Sequence, residues 1–296
     1  MEVDLNISVV CDGEESSGTL VMQGVAKHSQ HNLRISHLTP DFKDTDIVYI
    51  HAGALLNPWD HLKDRIKESK RLHGVKWIAG IRGVMNFKRW TDAWPPTRFC
   101  DFIYDLDGIS VANLEFYNLV RKLDPRLKVF LCHSGVDTDM FKPSPPPEDF
   151  CIGWAGQATG AKMWENFIRL PFPKRTSGAF IGTWRPFHEM PGFYREISVY
   201  VSTSVEEGCP VPPLEAAASG RPVVAINVGA LPEWVPDEWL VPNIHGGYKL
   251  LIPKIERLRD DRGLYERESK RFRETSLKWD FSAISREYDR MFDYGV

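Results

Sequence analysis

Short apolar, β-branched runs alternate along this chain with longer amphipathic stretches. Runs at 6–11, 33–38, 46–50, 75–81, 102–106 and 128–132 read as strands. Between them, helical periodicity covers 19–28, 58–73 and 112–123. The second half repeats the alternation, with strands at 150–154, 197–201, 221–226 and 239–241 and helices at 163–170, 214–218, 247–260, 263–278 and 278–292. Such alternation predicts an α/β fold with parallel sheets, because a parallel pair needs a crossover that a helix supplies. Pro143 to Pro147 form a proline-rich linker between the halves. The expected domains are 1–145, 146–278 and a terminal helix at 279–296.

The stretch from Ser202 to Ala225 carries the densest chemistry. It reads as strand end, loop, short helix and strand, with Gly220 placed as a C-terminal helix cap. Glu207 and Glu215 frame the loop with seven residues between them. A helix start offers backbone N–H groups and partial positive charge, which suit a diphosphate. Gly208 admits close backbone approach, and a carboxylate accepts paired hydrogen bonds from vicinal sugar hydroxyls. Two glutamates around an amide-lined loop therefore match a nucleotide-sugar.

The sequence from Glu207 through Leu214-Glu-Ala-Ala-Ala-Ser-Gly-Arg-Pro-Val-Val-Ala225 to Gly229-Ala-Leu-Pro-Glu233 resembles the donor site of retaining GT-B glycosyltransferases of the family-4 type, with its E-x7-E spacing. The resemblance implies two Rossmann-like domains facing across a cleft, with a C-terminal helix crossing back to the first. It implies that Glu207 contacts the transferred sugar, Glu215 the ribose, and Lys162 with the backbone of Gly208, Cys209, Pro210 and Val211 the phosphates. It further implies transfer from a nucleoside-diphosphate sugar to a hydroxyl with retention, by front-face attack and without metal or other cofactor. His133-Ser-Gly-Val-Asp-Thr-Asp-Met-Phe-Lys-Pro143 resembles the family's exit from the first domain, with Ser134 where Asn is usual. Gly156-Gln157 through Lys162 resembles a Gly-Arg-x5-Lys element, but Gln157 replaces the arginine and the spacing is one shorter. Arg185 is a candidate substitute for that missing cation.

In the first half, Gly13, Ser16 and Ser17 follow the first strand, at the carboxyl edge where doubly wound sheets bind ligands, and they form the candidate acceptor loop with His51. Arg82 stands after the fourth strand where the family commonly has a histidine. It is a candidate catalytic residue that places a fixed cation near the reaction centre.

Composition is that of a soluble globular protein, and no apolar run reaches the ~18 residues of a spanning helix. The N-terminus is acidic, unlike a signal peptide. Five cysteines, widely spaced and odd in number, suggest neither a zinc site nor a disulfide framework, which points to a reducing, cytoplasmic setting. Asp105-Leu-Asp107 has the form of a metal-holding tripeptide, but Asp44-Thr-Asp46 and Asp137-Thr-Asp139 show that the pattern recurs here without that context.

The net charge of −3 gives no overall reason to expect nucleic acid. Residues 61–98 nonetheless hold ten Lys/Arg against three Asp/Glu, interleaved with Trp77, Phe87, Trp90 and Trp94. This basic region is either a solvated face or the seat of an anionic acceptor. A glycan or lipid-linked glycan at a membrane surface leads, ahead of DNA bearing a hydroxymethylated base. A non-catalytic protein that binds sugar or nucleotide is the remaining alternative, prompted by Gln157 and Arg82.

Overall fold

A computed structural model of the chain describes residues 4–14, 16–37, 40, 42–51, 59–84, 86, 88, 91, 96–179 and 181–295. The chain divides into two compact units, one joining Met1–Gly135 to Phe281–Val296 and the other spanning Val136–Asp280.

The first unit contains β1 (Asn6–Cys11), α1 (Ser17–His28), β2 (Asn32–His37), β3 (Ile47–Ile50), α2 (Trp59–His73), β4 (Lys76–Ile81), β5 (Gly108–Val111), α3 (Leu114–Leu123) and β6 (Val129–Leu131). Its six strands pair in parallel in the order β2-β1-β3-β4-β5-β6. The Ile-Val-Tyr-Ile of β3 is buried at every position, as a strand covered on both faces requires. Ile66 and Ser69 of α2 point into this core, where Trp77 Nε1 donates to Ser69 Oγ at 2.8 Å. Asn113 caps α3 by accepting from Phe116 N–H at 2.8 Å.

The second unit contains β7 (Ile152–Gln157), α4 (Trp164–Ile168), β8 (Lys174–Ala179), α5 (Met190–Arg195), β9 (Val199–Ser202), α6 (Val211–Ala218), β10 (Val223–Ile226), β11 (Leu240–Val241), α7 (Leu251–Asp260) and α8 (Arg262–Leu277). Its parallel sheet runs β11-β10-β9-β7-β8. Gly220 has φ +73° just beyond α6, and its N–H donates to Ala217 O, as the sequence predicts for a helix stop.

The last helix, α9 (Phe281–Gly295), belongs to the first unit. The Phe281 ring occupies space that glycines leave open. A Cβ at Gly24 or Gly135 would sit 2.4 or 2.6 Å from that ring. Glu287 accepts from His133 N–H at 2.8 Å and from its Nδ1 at 3.0 Å, and Asp289 accepts from Ser29 Oγ. The two-sheet α/β architecture expected from the sequence is present.

Three expectations change. Residues 102–106 do not form a strand. Asp101–Asp105 is a 3-10 turn that buries Phe102 and Ile103, and the strand is β5, which begins at Gly108. A short apolar run does not distinguish a strand from a helical turn. Here the Asp107 carboxylate sets the register by accepting from Trp77 N–H at 2.7 Å. Next, the strand expected at 150–154 is β7, which starts at Ile152 and runs on to end with Gly156 and Gln157.

The units divide at Gly135/Val136 and Asp280/Phe281, where the sequence placed boundaries at 145 and 278. Residues 136–145 are anchored inside the second unit. Val136 N–H donates to Trp279 O, Phe141 packs edge-on against Tyr194, and the buried Arg221 guanidinium donates to the carbonyls of Ser144 and Pro145. The proline stretch is thus a fixed strap.

All five cysteines are free, and Cys11, Cys132, Cys151 and Cys209 are buried. No helix among the described residues is long and apolar enough to cross a membrane.

Candidate functional site

The sheet of the second unit reverses its winding between β7 and β9. Doubly wound sheets bind ligands in the crevice at the carboxyl ends of the strands at such a switch point. Lys162 follows β7 and Glu207 follows β9. The fold brings them together across 45 residues of sequence, with Lys162 Nζ 2.5 Å from Glu207 Oε1. Their side chains remain 25% and 10% exposed, so the pair is shielded yet reachable. Gly156, at the end of β7 with φ +149°, faces the same lysine: a Cβ there would lie 3.8 Å from Lys162 Cε. Gln157 is exposed at the strand tip.

The two loops of the site are tied to each other. Val205 N–H donates to Ala161 O at 2.9 Å, and Asn243 Nδ2 donates to Val205 O at 2.9 Å. Gly208 O accepts from Ala230 N–H at 2.8 Å. Gly229 makes that approach possible. It holds φ +57°, and a Cβ would meet Gly208 O at 2.4 Å and Glu207 at 3.0 Å. Gly229→Ala therefore combines a left-handed backbone cost with a backbone clash. We expect a loss of about 2 kcal/mol or more in a urea titration, together with weakened nucleotide binding. Wild-type stability in that variant would contradict the packing described.

α6 begins behind Pro210, which offers no side-chain cap. The sequence expectation of a helix start rich in N–H groups needs correction. Pro212 and Pro213 carry none, so among the first four helical residues only Val211 and Leu214 are donors. Cys209 and Pro210 are themselves buried.

Glu215, one turn into α6, is 4% exposed and accepts from Tyr194 OH at 2.6 Å. Burial pushes its carboxyl up to about 7, against the opposing effect of the tyrosine hydrogen bond. Burial, reinforced by the Glu215 charge, raises the Tyr194 phenol well above its usual range, so it stays a donor. Tyr194 carried no signal in the sequence, because it lies 21 residues from Glu215 on another helix. Arg185, the candidate substitute for the missing arginine, is paired with Glu196. Glu196 holds its guanidinium at 2.8 Å through both nitrogens, and it stacks 5.6 Å from Phe193.

In the first unit the switch point lies between β1 and β3. Gly13 O accepts from Ser16 N–H at 3.3 Å and from Thr19 Oγ1, while Ser16 Oγ accepts from Thr19 N–H at 3.1 Å. Gly13 and Ser16 thus build the N-terminal cap of α1, and Ser17 is exposed in its first turn. His51 is 3% exposed, with Nδ1 3.3 Å from Tyr49 OH, which also bonds Ser110 Oγ at 2.8 Å. Burial and then the Arg82 charge hold His51 well below its usual pKa, so the ring is neutral. Arg82 donates to Cys132 O at 2.6 Å and to Ser134 Oγ at 3.4 Å, joining the ends of β4 and β6.

In the basic region, Lys70 pairs with Asp107 at 2.8 Å and Lys67 with Asp105 at 3.9 Å. The Asp107 carboxylate of the Asp-Leu-Asp tripeptide is therefore engaged, while Asp105 Oδ2 is buried without a hydrogen-bond partner among the described residues. No group of three or more His, Cys, Asp or Glu suited to a metal occurs among the described residues. Phe87, Arg89, Trp90, Asp92 and Trp94 lie outside the described residues.

Residues 170–260 match the family described as glycosyl transferases group 1. The chain is 33% identical over 123 residues to the lipopolysaccharide core biosynthesis mannosyltransferase LpsB of Rhizobium meliloti (strain 1021); the match takes in 38% of this chain and 35% of that relative's length. Among solved structures, HepE of Anabaena in complex with UDP and glucose superimposes with a TM-score of 0.73 at 11% identity, covering 98% of this chain and 99% of the other. Sucrose-phosphate synthase of Thermosynechococcus elongatus gives 0.72 at 13% identity, covering 98% of each. The chain accordingly has the Rossmann-like two-sheet fold of GT-B glycosyltransferases, and residues 170–260 of its second unit are similar to glycosyl transferases group 1.

Proposed function

We propose that this protein is a retaining, metal-independent glycosyltransferase of the cytoplasm. It moves a sugar from a UDP-sugar to a hydroxyl of a glycan or lipid-linked glycan. The Lys162–Glu207 pair at the sheet's switch point carries this reading. A lysine held at that edge supplies the positive charge a departing diphosphate needs, and the neighbouring carboxylate suits the hydroxyls of the transferred sugar. Glu215, on the helix that follows the loop, suits the ribose. The group 1 sequence match and the UDP in the HepE structure favour a nucleoside diphosphate, and the LpsB match favours a glycan acceptor. The engagement of Asp107 by Lys70 and by Trp77 N–H favours charge stabilisation by Lys162 over a metal bound there.

In the reaction, the acceptor oxygen bonds to the anomeric carbon as the bond from that carbon to the β-phosphate oxygen breaks. The acceptor proton passes to the departing phosphate. Lys162 and the loop amides stabilise the charge that builds on the diphosphate. Attack on the face the phosphate leaves preserves configuration.

UDP is expected to raise the melting temperature in EDTA, and a UDP-sugar and acceptor screen read by proton NMR is expected to yield a product of retained anomeric configuration. Absence of stabilisation by UDP, GDP and ADP alike would sink the reading.

A further inference from the structure

Among the described residues other than glycine, only Asp44 and Met163 hold a positive φ. Met163, at φ 46° and ψ 50°, closes the turn Gly160–Lys162 and opens α4. It directly follows Lys162. A side chain is disfavoured in this left-handed region by contact with its own backbone, and it persists there only where the surroundings hold it.

The holding contacts come from the segment after β9. Thr203 is fully buried, and its Oγ1 lies 3.1 Å from Lys162 O and 3.1 Å from Met163 O. Two residues on, Val205 N–H donates to Ala161 O. Three successive carbonyls, at 161, 162 and 163, are thus tied to the segment that carries Glu207 four residues after Thr203. A hydroxyl buried beside two carbonyls can only donate its one proton between them, so its orientation is fixed by the site.

We propose that Thr203 is a positioning residue for phosphate binding: its hydroxyl pins the reversed backbone at Met163 and so presents Lys162 Nζ at the switch point before the donor arrives. The proposal rests on the donor reading above. Preorganisation of this kind matters because a cation that must be gathered on binding spends part of the interaction on ordering.

Two readouts test it separately from that reading. In the ligand-free protein, amide exchange over 160–166 reports the clamp alone. Thr203→Val is expected to exchange faster there, and Thr203→Ser to match the wild type. UDP titration reports the consequence. Thr203→Val is expected to weaken UDP about tenfold or more, Thr203→Ser by less than about threefold, and Met163→Gly in the Val background to recover part of the loss. In a Lys162→Ala background, Thr203→Val is expected to cost nothing further, which a merely structural role would not produce. Wild-type exchange and affinity in Thr203→Val would overturn the proposal, as would an equal loss in the Lys162→Ala background. A wild type that fails to bind UDP while Thr203→Val still exchanges faster would overturn the donor reading and the positioning role with it, and leave the backbone clamp standing.

Discussion

Replacing Lys162 by alanine is expected to lower UDP affinity about 10- to 100-fold and the rate of transfer about 10²- to 10³-fold. The first figure is that of a charge-assisted hydrogen bond to phosphate. The second is that of a preorganised donor aimed at charge that develops in the transition state. The variant also strands the Glu207 carboxylate, whose side chain is only 10% exposed. A cost to folding of about 1–3 kcal/mol follows. Lys162→Ala/Glu207→Gln separates the two effects: stability returns and UDP affinity does not. Lys162→Arg is expected to rescue poorly, because a planar guanidinium presents its donors differently from an ammonium. The check is calorimetric titration of UDP beside urea unfolding of the three variants. Wild-type UDP affinity in Lys162→Ala would remove the lysine from the site.

The second large effect is a pH dependence seated at Glu215. Its pKa in the folded protein, about 7, lies above its ordinary value of 4.5. Between those values the native state keeps a proton that the unfolded chain has released. Stability is therefore fully present below about 4.5, falls as pH rises, and levels off above about 7, with a total change of about 3 kcal/mol. Glu215→Gln removes the fall, so the variant gains on the wild type with rising pH. Donor binding runs the other way. A carboxylate that accepts from two ribose hydroxyls favours the ionised form, so UDP affinity should drop as pH falls below about 7, by up to about tenfold per unit. Comparison with Glu215→Gln subtracts the titration of the nucleotide itself. Tyr194→Phe deletes the hydrogen bond that lowers the Glu215 pKa, and should move the transition upward. Parallel pH profiles in all three proteins would show that Glu215 does not meet the nucleotide.

What the sequence made legible was local. The β3 run Ile-Val-Tyr-Ile and the Gly220 helix stop each express their structure within a few residues. Lys162 and Glu207 were each legible as candidates, but their 2.5 Å contact spans 45 residues and depends on β7 and β9 becoming neighbours. Tyr194 and Thr203 matter through groups they touch after folding, and no periodicity or spacing marks them. Residues 102–106 misled because Phe102 and Ile103 are buried equally well by a helical turn as by a strand. The strap at 143–147 looked like a linker because prolines are common in linkers. Arg221, 77 residues from Ser144, holds the strap to the second unit.

A crystal structure of the UDP complex tests the central claim most directly. The account predicts a β-phosphate oxygen within about 3 Å of Lys162 Nζ, the ribose hydroxyls on the Glu215 carboxylate, and the phosphates over the loop from Gly208 to Leu214. UDP seated elsewhere, with Lys162 still closed on Glu207 and Glu215 bonded only to Tyr194, would contradict it.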